Sequence, residues 1–261
     1  MKSIIGIDVS RYQGEIDWPA VAADGVGFAM IKALQGAKTV DPRFRENAEG
    51  AAKAGIPFGV YVYGKANNAE EARREADAAI DLISDFRLAY PVALDVESAH
   101  FRELAPSALA DIINAFCTRI KEAGETPLVY SNKDWLTNVI PKECSGKWPV
   151  WLAQWRKTPP DYSDPYAMWQ YGRGEVAGIQ TKADMDLCYA DFPAEKAKLP
   201  VRFAVTLPRL TGEPALAMQR ALIAANYTDS ADTPLDPDGV WGAKSRAAFD
   251  KLLALNSDRR D

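Results

Sequence analysis

Short apolar runs alternate with helical segments through the first half of this 261-residue chain. Five of the runs have the length of a strand: 4–10, 26–33, 57–64, 90–97 and 127–132. Three of the segments between them have helical spacing: 44–55, 68–86 and 106–124. Because strands that alternate with helices pair side by side in the same direction, this pattern predicts an α/β fold with a parallel sheet.

The alternation stops after the fifth strand. Three further strand candidates follow almost consecutively: 149–155, 167–172 and 183–189. Eight strands can close into a barrel, here with five β/α units followed by three strands without helices between them. Active sites of such barrels lie at the carboxyl ends of the strands, so we expect the functional residues there.

A second, smaller domain is predicted at the carboxyl end of the chain. Residues 193–210 are rich in proline and lack periodicity, which is typical of a linker. Two short helical segments, 213–227 and 242–256, lie within 211–261, with a turn-rich loop between them. We therefore divide the chain into a large domain (1–192), a linker (193–210) and a small helical domain (211–261).

Charge and composition exclude several classes of function. The net charge of −5 gives no reason to expect nucleic acid as a partner. The chain has one histidine, His100, and three dispersed cysteines without a CxxC pair, which argues against a zinc site. No run approaches the roughly 20 apolar residues of a membrane span. The first apolar run is interrupted by Asp8, which argues against the core of a secretory signal.

Acidic residues recur where strands are predicted to end. Asp95 and Glu97 close the fourth strand, two positions apart, so their side chains share a face. Asp8 closes the first strand, and Asp184 and Asp186 lie in the last. In a closed barrel these acids converge on one mouth, where repulsion and burial raise at least one pKa, as general acid catalysis of glycoside cleavage requires. A solvated strand end or a structural salt bridge is the alternative.

Aromatic residues accompany the predicted strand ends, as a sugar-binding groove requires. They are Tyr61, Tyr63, Tyr130, Trp151, Trp155, Trp169 and Tyr171. Flat apolar rings stack on pyranose rings, although core packing is the common role of any single aromatic. Convergent acids are also found at metal sites, but hard metals have less need of aromatic neighbours. We therefore expect a sugar-binding groove and no metal or cofactor.

Residues 4 to about 192 resemble the family 25 glycoside hydrolases, the Chalaropsis-type lysozymes or N-acetylmuramidases. Matching segments occur in order along the chain: GIDVSRYQGEIDW, GVYVYG, VALDVE, LVYSN, VWLAQW, WQYGRGEVAGI and DMDLCY. The resemblance implies a flattened (β/α)5(β)3 TIM-like barrel. It also implies retaining hydrolysis of the β-1,4 bond between N-acetylmuramic acid and N-acetylglucosamine in bacterial peptidoglycan.

The resemblance also assigns roles to the acidic residues. Glu97 matches the general acid, and Asp95 matches the neighbouring acid that tunes it or positions the substrate acetamido group. Asp8 and Asp186 match the aspartates of the first and last strands. Whether an enzyme carboxylate or the substrate acetamide attacks the anomeric carbon stays open.

The resemblance extends to the residues that bind substrate, with some departures. Tyr61 matches a family tyrosine, while Val62 and Tyr63 stand where histidine and phenylalanine are usual, and Cys188 replaces an asparagine. The expected substrate-binding residues are Tyr61, Tyr63, Tyr130, Trp151, Gln154 and Trp169.

The last 45 or so residues resemble the small three-helix peptidoglycan-binding domain. The matching parts are MQRAL, the DGVWG turn and SRAAFDKLL. The resemblance implies wall binding, with Trp241 either packed under the turn or facing the ligand. An ordinary helical hairpin that covers the barrel is the alternative.

Together these features predict a phage endolysin that acts as a monomer on peptidoglycan. It is made in the host cytoplasm and reaches the wall after the membrane is breached, with help from a separate membrane-permeabilising protein. The alternatives are a non-catalytic wall-binding protein and a hydrolase of another amino-sugar polymer such as chitin.

Overall fold

A computed structural model describes residues 3–197, 212–242, 244–249 and 251. The chain divides into two compact units, Met1–Arg202 and Phe203–Asp261. Within the predicted linker, a short helix covers the beginning, and residues 198–210 lie outside the described part of the chain. The assignment of functions to these units stays a prediction.

The described residues of the first unit form nine strands. They are β1 (Ile4–Val9), β2 (Phe28–Gln35), β3 (Thr39–Val40), β4 (Phe58–Tyr63), β5 (Val92–Asp95), β6 (Pro127–Asn132), β7 (Val150–Ala153), β8 (Met168–Gly174) and β9 (Ala183–Cys188). All except β3 form a closed barrel, because β1 pairs with β2 on one side and with β9 on the other. The predicted barrel is confirmed. Strand β3 is an addition at the edge of the sheet, where it pairs with the end of β2.

Helices connect the strands in the predicted arrangement. They are α1 (Trp18–Ala23), α2 (Phe44–Lys53), α3 (Ala69–Ile83), α4 (Pro106–Glu122), α5 (Lys133–Asn138), α6 (Lys142–Lys147) and α7 (Phe192–Ala197). Among the described residues, no helix lies between β7 and β8 or between β8 and β9, as the five-plus-three pattern requires. The six-residue helices α1, α5 and α6 are not predicted, because a helix of fewer than two turns shows no measurable periodicity.

Local sequence explains where the two longest helices begin. Asn68 caps α3, where its side-chain oxygen accepts a hydrogen bond of 2.9 Å from the backbone N–H of Glu71. Pro106 opens α4, at a position whose backbone N–H would have no partner within the helix. These helices lie against the outer face of the barrel, where apolar side chains of the strands form a continuous core.

The inside of the barrel has an apolar floor. It is formed by Phe28, Met30, Tyr90, Ala93, Leu128, Trp151, Met168, Cys188 and Phe192. The rings of Phe28 and Tyr90 stack with centroids 4.5 Å apart. Gly6 in β1 has to be a glycine, because a Cβ there would lie 2.3 Å from the Phe28 ring. The floor therefore closes the barrel at one end and leaves the other end for polar residues.

The second unit contains helix α8 (Glu213–Ala224) and a helical segment at 244–249 and 251. The buried side chain of Gln219 holds the DGVWG turn, since its amide nitrogen donates to Asp238 at 2.9 Å and its oxygen accepts from the backbone N–H of Gly239 at 3.0 Å. The remainder of the predicted helix 242–256 lies outside the described residues, and the three-helix arrangement stays a prediction. No helix in the described part of the chain has the length and apolarity needed to cross a membrane.

Candidate active site

The carboxyl ends of the parallel strands bring the predicted acids together at the mouth of the barrel. Asp8 in β1 lies opposite Asp184 in β9, and Asp186 lies opposite Gln170 in β8. The sequence interpretation placed Asp184 and Asp186 at the end of the last strand, which is wrong. Strand β9 runs antiparallel to both neighbours, so its beginning lies at the mouth, and these two residues reach the mouth from that side.

A buried glutamine orients the first of these acids. The amide nitrogen of Gln170 donates a hydrogen bond of 2.8 Å to Oδ2 of Asp8. The amide oxygen of Gln170 accepts from the hydroxyl of Tyr130 at 3.2 Å and from the indole N–H of Trp155 at 2.9 Å. Burial and the charge of Asp184 raise the pKa of Asp8 to about 7.

Asp186 is fully buried beside Asp8. Its Oδ1 accepts a hydrogen bond of 2.8 Å from the indole N–H of Trp151. Its Oδ2 receives no N–H or O–H donor from the described residues, but the Asp8 carboxyl lies within hydrogen-bonding reach. Burial and the charge of Asp8 raise the pKa of Asp186 well above its usual value. A single proton shared between the two acids satisfies this geometry.

Asp95 and Glu97 lie at the end of β5 in different surroundings. Asp95 is buried, and burial followed by the charge of Glu97 raises its pKa well above the usual value. Its Oδ1 has no hydrogen-bond partner among the described residues. Glu97 is exposed to the cleft; partial desolvation raises its pKa, and the positive charge of Lys32 opposes that shift.

The backbone that carries Glu97 is fixed by the neighbouring strand β6. The hydroxyl of Ser131 donates a hydrogen bond of 2.6 Å to the carbonyl of Val96. The N–H of Val96 donates to the carbonyl of Tyr130 at 2.9 Å. Glu97 therefore projects from a held segment, although it lies beyond the last residue of β5.

An open cavity of about 270 Å³ lies over Glu97. Its lining residues are Glu97, Tyr130, Asn132, Ala153, Trp155 and Gln170. The cavity combines one exposed acid that has a raised pKa with aromatic and amide groups, while three buried acids lie alongside. Such an arrangement can donate a proton to a bound substrate and stabilise positive charge that develops on it.

The model of one protein family, the glycosyl hydrolases family 25, matches residues 7–179. The chain belongs to this family. The predicted resemblance of the large domain is thereby confirmed, and the closed barrel agrees with it.

Individual relatives support the assignment to family 25. Lysozyme M1 of Streptomyces globisporus is 30% identical over 198 residues, which cover 69% of this chain and 65% of that protein. The crystal structure of a bacterial lysozyme from Streptomyces coelicolor is 27% identical with a TM-score of 0.63 and covers 73% of this chain and 94% of its own. The modular autolysin LytC from Streptococcus pneumoniae, in complex with a synthetic peptidoglycan ligand, is 27% identical with a TM-score of 0.65. That match covers 72% of this chain and 47% of LytC.

Three of the six expected substrate-binding residues lie on the inner face of the mouth. Tyr61 and Tyr63 in β4 are partly buried there, and Tyr130 lines the cavity. Trp151 lies one layer deeper with 1% of its surface exposed, where it packs on the floor, meets the rings of Tyr61 and Tyr130 edge-on from below, and donates to Asp186. This placement favours a positioning role for Trp151 over stacking on a sugar.

The other expected residues lie outside the cavity. Trp169 is buried in the outer core, where its indole N–H donates to the backbone oxygen of Gln154 at 2.8 Å. The side chain of Gln154 bonds to Asp161 in the loop before β8.

In the second unit, Trp241 is buried against Phe249 with ring centroids 5.9 Å apart, so it packs within that unit.

Sequence analysis assigned no role to Gln170, Lys32 or Asn132, and it named Trp155 only among the groove aromatics. Gln170 lies within the family-like segment WQYGRGEVAGI, so a signal for it was present. Lys32 and Asn132 face the same interior, but a lone lysine or asparagine at a strand end carries no distinctive pattern. Their importance follows only from the register that aligns the strands.

Proposed function

We propose that this chain hydrolyses the β-1,4 bond between N-acetylmuramic acid and N-acetylglucosamine in bacterial peptidoglycan. The observation that carries the proposal is the convergence of Asp8, Asp95, Glu97 and Asp186 at one mouth, with Glu97 alone exposed to the cleft. Membership of glycosyl hydrolases family 25 supports it, as do relatives named lysozymes and the synthetic peptidoglycan ligand in the LytC complex.

In the proposed reaction, protonated Glu97 donates its proton to the glycosidic oxygen. Its raised pKa supports this role, because a carboxyl group must keep its proton near neutral pH to act as an acid. The bond to the leaving sugar breaks, and positive charge develops on the remaining ring. Water then attacks, and the carboxylate of Glu97 accepts its proton, which restores the enzyme.

The buried acids support the charged stage of the reaction. The unpartnered Oδ1 of Asp95 is suited to accept the N–H of the substrate acetamido group. Asp186 and Asp8 share a proton and hold one negative charge near the reacting carbon. The overall stereochemistry is proposed to be retention, with either the acetamide or an enzyme carboxylate as the nucleophile.

The decisive experiment is to digest purified peptidoglycan and to identify the new reducing ends by mass. Muramic acid at the reducing end is expected; N-acetylglucosamine there, or hydrolysis of chitin alone, would contradict the proposal. Glu97→Gln should bind walls but lose activity by about 10²–10⁴-fold. Glu143→Gln, the same change at an exposed site on α6, is the control. A Glu97→Gln protein as active as wild type would refute the assignment of the acid.

We further propose that the protein is a monomeric endolysin whose second unit binds the wall. The resemblance of that unit to a peptidoglycan-binding domain supports this role. Expression of the protein inside a bacterium, with and without a membrane-permeabilising protein, tests the endolysin role. Lysis is expected only when the membrane is breached, and lysis without the breach would contradict the endolysin role. Size-exclusion chromatography checks the monomer.

A further inference from the structure

Strand β8 contains an irregularity that moves a basic residue to the mouth. Gln170 lies opposite Asp186 in β9, yet Gly172 lies opposite Met185, so β8 contains one extra residue. Such a bulge changes the side-chain alternation. As a result, Arg173 lies opposite Asp184 and on the same face of the sheet as Gln170.

Two contacts hold the guanidinium of Arg173 at the rim of the cavity. Its Nε donates a hydrogen bond of 2.7 Å to Oδ1 of Asp184. Its central carbon lies 4.9 Å from the ring centroid of Trp155. Trp155 is in turn fixed by Gln170 and lines the same cavity as Glu97. The guanidinium is therefore oriented beside the cleft.

The outer edge of this guanidinium is available to a ligand. Its Nη1 and Nη2 make no hydrogen bond to any residue in the described part of the chain, and 57% of the side chain is exposed. The lysines of the mouth are placed differently. Lys32 and Lys65 lie over the ring of Tyr63 in β4, and Lys65 donates to Ser98. Arg173 thus presents a free pair of donors to the cleft, whereas the side chains of the two lysines lie over an aromatic ring.

We propose that Arg173, held on Trp155, binds a carboxylate carried by the muramic acid unit of the substrate. This inference rests on the proposed function. The parallel N–H groups of a guanidinium match the two oxygens of a carboxylate, and a bidentate pair is both strong and directional. Muramic acid offers this chemistry from two sources, the lactyl group when it is free and the stem peptide when it is attached.

Three glycan substrates separate the two sources. The first has intact stem peptides, the second has been stripped by an amidase and has free lactyl carboxylates, and the third is the stripped form with those carboxylates converted to methylamides. Arg173→Gln should raise KM about five- to twentyfold on carboxylate-bearing strands, because a charge-assisted pair is lost. The value of kcat should stay within about twofold. Arg173→Lys, which keeps the charge without the fork, should fall between.

If Arg173→Gln raises KM on the first substrate alone, the carboxylate belongs to the stem peptide. If Arg173→Gln raises KM on the second substrate, the carboxylate is that of the lactyl group. On the methylamide strands, wild type should have a KM as high as that of Arg173→Gln on the carboxylate-bearing strands. The KM of Arg173→Gln should not rise further on the methylamide strands. The double variant Arg173→Gln/Asp184→Asn tests whether Arg173 serves only to neutralise the charge of Asp184. Recovery of wild-type KM in the double variant, or an equal loss on all three substrates, would overturn the inference.

The failure of the proposed function looks different. If wild type released no muramic acid reducing ends from any of the strands, the proposed function would fail. If wild type were active and Arg173→Gln matched its KM on every strand, only the carboxylate site would fail.

Discussion

The floor and the mouth of the barrel are built from the same strands but have opposite chemistry. At the floor, the inward side chains are apolar and packed, as with the stacked rings of Phe28 and Tyr90. At the mouth, the inward side chains are the acids Asp8, Asp95 and Asp186, which are buried with raised pKa values. Trp151 forms the boundary between the two.

The floor and the mouth therefore serve different purposes: the floor stabilises the barrel, and the mouth supplies the reactive groups. Burial of apolar surface at the floor stabilises the fold, whereas burial of ionisable groups at the mouth costs free energy unless they are neutral or paired. The mouth keeps its acids partly protonated, which is the state that acid catalysis requires. Substitutions at the floor should therefore change stability, and substitutions at the mouth should change activity and pH dependence.

The largest effect on stability is expected for Phe28→Ala. The substitution removes a fully buried ring from the floor, and it should lower the free energy of unfolding by about 3–5 kcal/mol. Activity per folded molecule should change little, because the mouth is built from other side chains. Urea unfolding followed by tryptophan fluorescence reports mainly on the barrel, which contains six of the seven tryptophans.

The control for this prediction is Val40→Ala in β3, where the side chain is exposed and the strand is outside the closed barrel. Its effect should stay within about 0.5 kcal/mol. A Phe28→Ala protein as stable as this control, or one that folds well and loses catalysis, would remove the distinction between floor and mouth.

The next effect is a dependence of stability on pH that originates at the mouth. The pKa of Asp8 is raised from 3.8 to about 7, so folding favours its neutral form. The contribution of Asp8 to the free energy of unfolding is fully present below the pKa that Asp8 has in the unfolded chain. It is lost as the pH rises through the pKa of Asp8 in the folded protein. Asp8→Asn keeps a neutral group that can accept from Gln170. The advantage of this variant over wild type should grow from pH 4 to pH 7 and then level off at about 4 kcal/mol.

Unfolding of both proteins at several pH values measures this advantage. An advantage that is the same at every pH would show that Asp8 is not a neutral group of the folded state. The variant should also lose activity, because the carboxyl pair with Asp186 is broken.

Much of the fold was predictable because it depends on patterns repeated along the chain. The alternation of strands and helices, and its end after the fifth strand, predicted the barrel. Strand β6 has the predicted bounds, since Pro127 and Asn132 mark both of its ends. The direction of β9 was not predictable, because a strand has the same alternation in either direction and only the length of the preceding loop bears on it.

The acids of the site were also predictable, but the aromatic residues were only partly so. Acids at strand ends are rare enough to be noticed, since burial of a charge is costly. An aromatic residue in a strand is common in any core. Trp169 lies within β8 and faces the outer core, whereas Trp155 lies two residues beyond the end of β7 and lines the cavity; the apolar run 149–155 does not show where its strand stops. The bulge that brings Arg173 inward lies at Gly172; a glycine in a strand marks a bulge in some strands and the end of the strand in others, and the predicted bounds 167–172 treat it as the end.

A smaller effect is expected at the boundary, for Trp151→Phe. The ring is retained, but Asp186 loses the indole N–H that donates to its Oδ1 at 2.8 Å. A buried acceptor without its donor costs about 1–3 kcal/mol of stability. Because this hydrogen bond lowers the pKa of Asp186, its loss should raise that pKa further and shift the limb of the kcat profile that this acid controls to higher pH.

A matched control is Trp148→Phe, which breaks a similar bond of 2.9 Å from the indole N–H to Asn114 in the outer layer. The two variants should lose comparable stability, and only Trp151→Phe should change the pH profile. Equal profiles for the two would show that Trp151 serves packing alone.

The smallest effect is expected for Ser131→Ala beneath the segment that carries Glu97. The fully buried hydroxyl donates to the carbonyl of Val96 at 2.6 Å, so its removal should cost about 1 kcal/mol of stability. Glu97 would be held less firmly, and kcat should fall severalfold while KM stays close to wild type, because general acid catalysis depends on orientation. Ser145→Ala in α6, where the hydroxyl bonds to Lys142 at the surface, is the control. If Ser131→Ala changed KM and left kcat intact, the segment would serve substrate binding and not the placement of the acid.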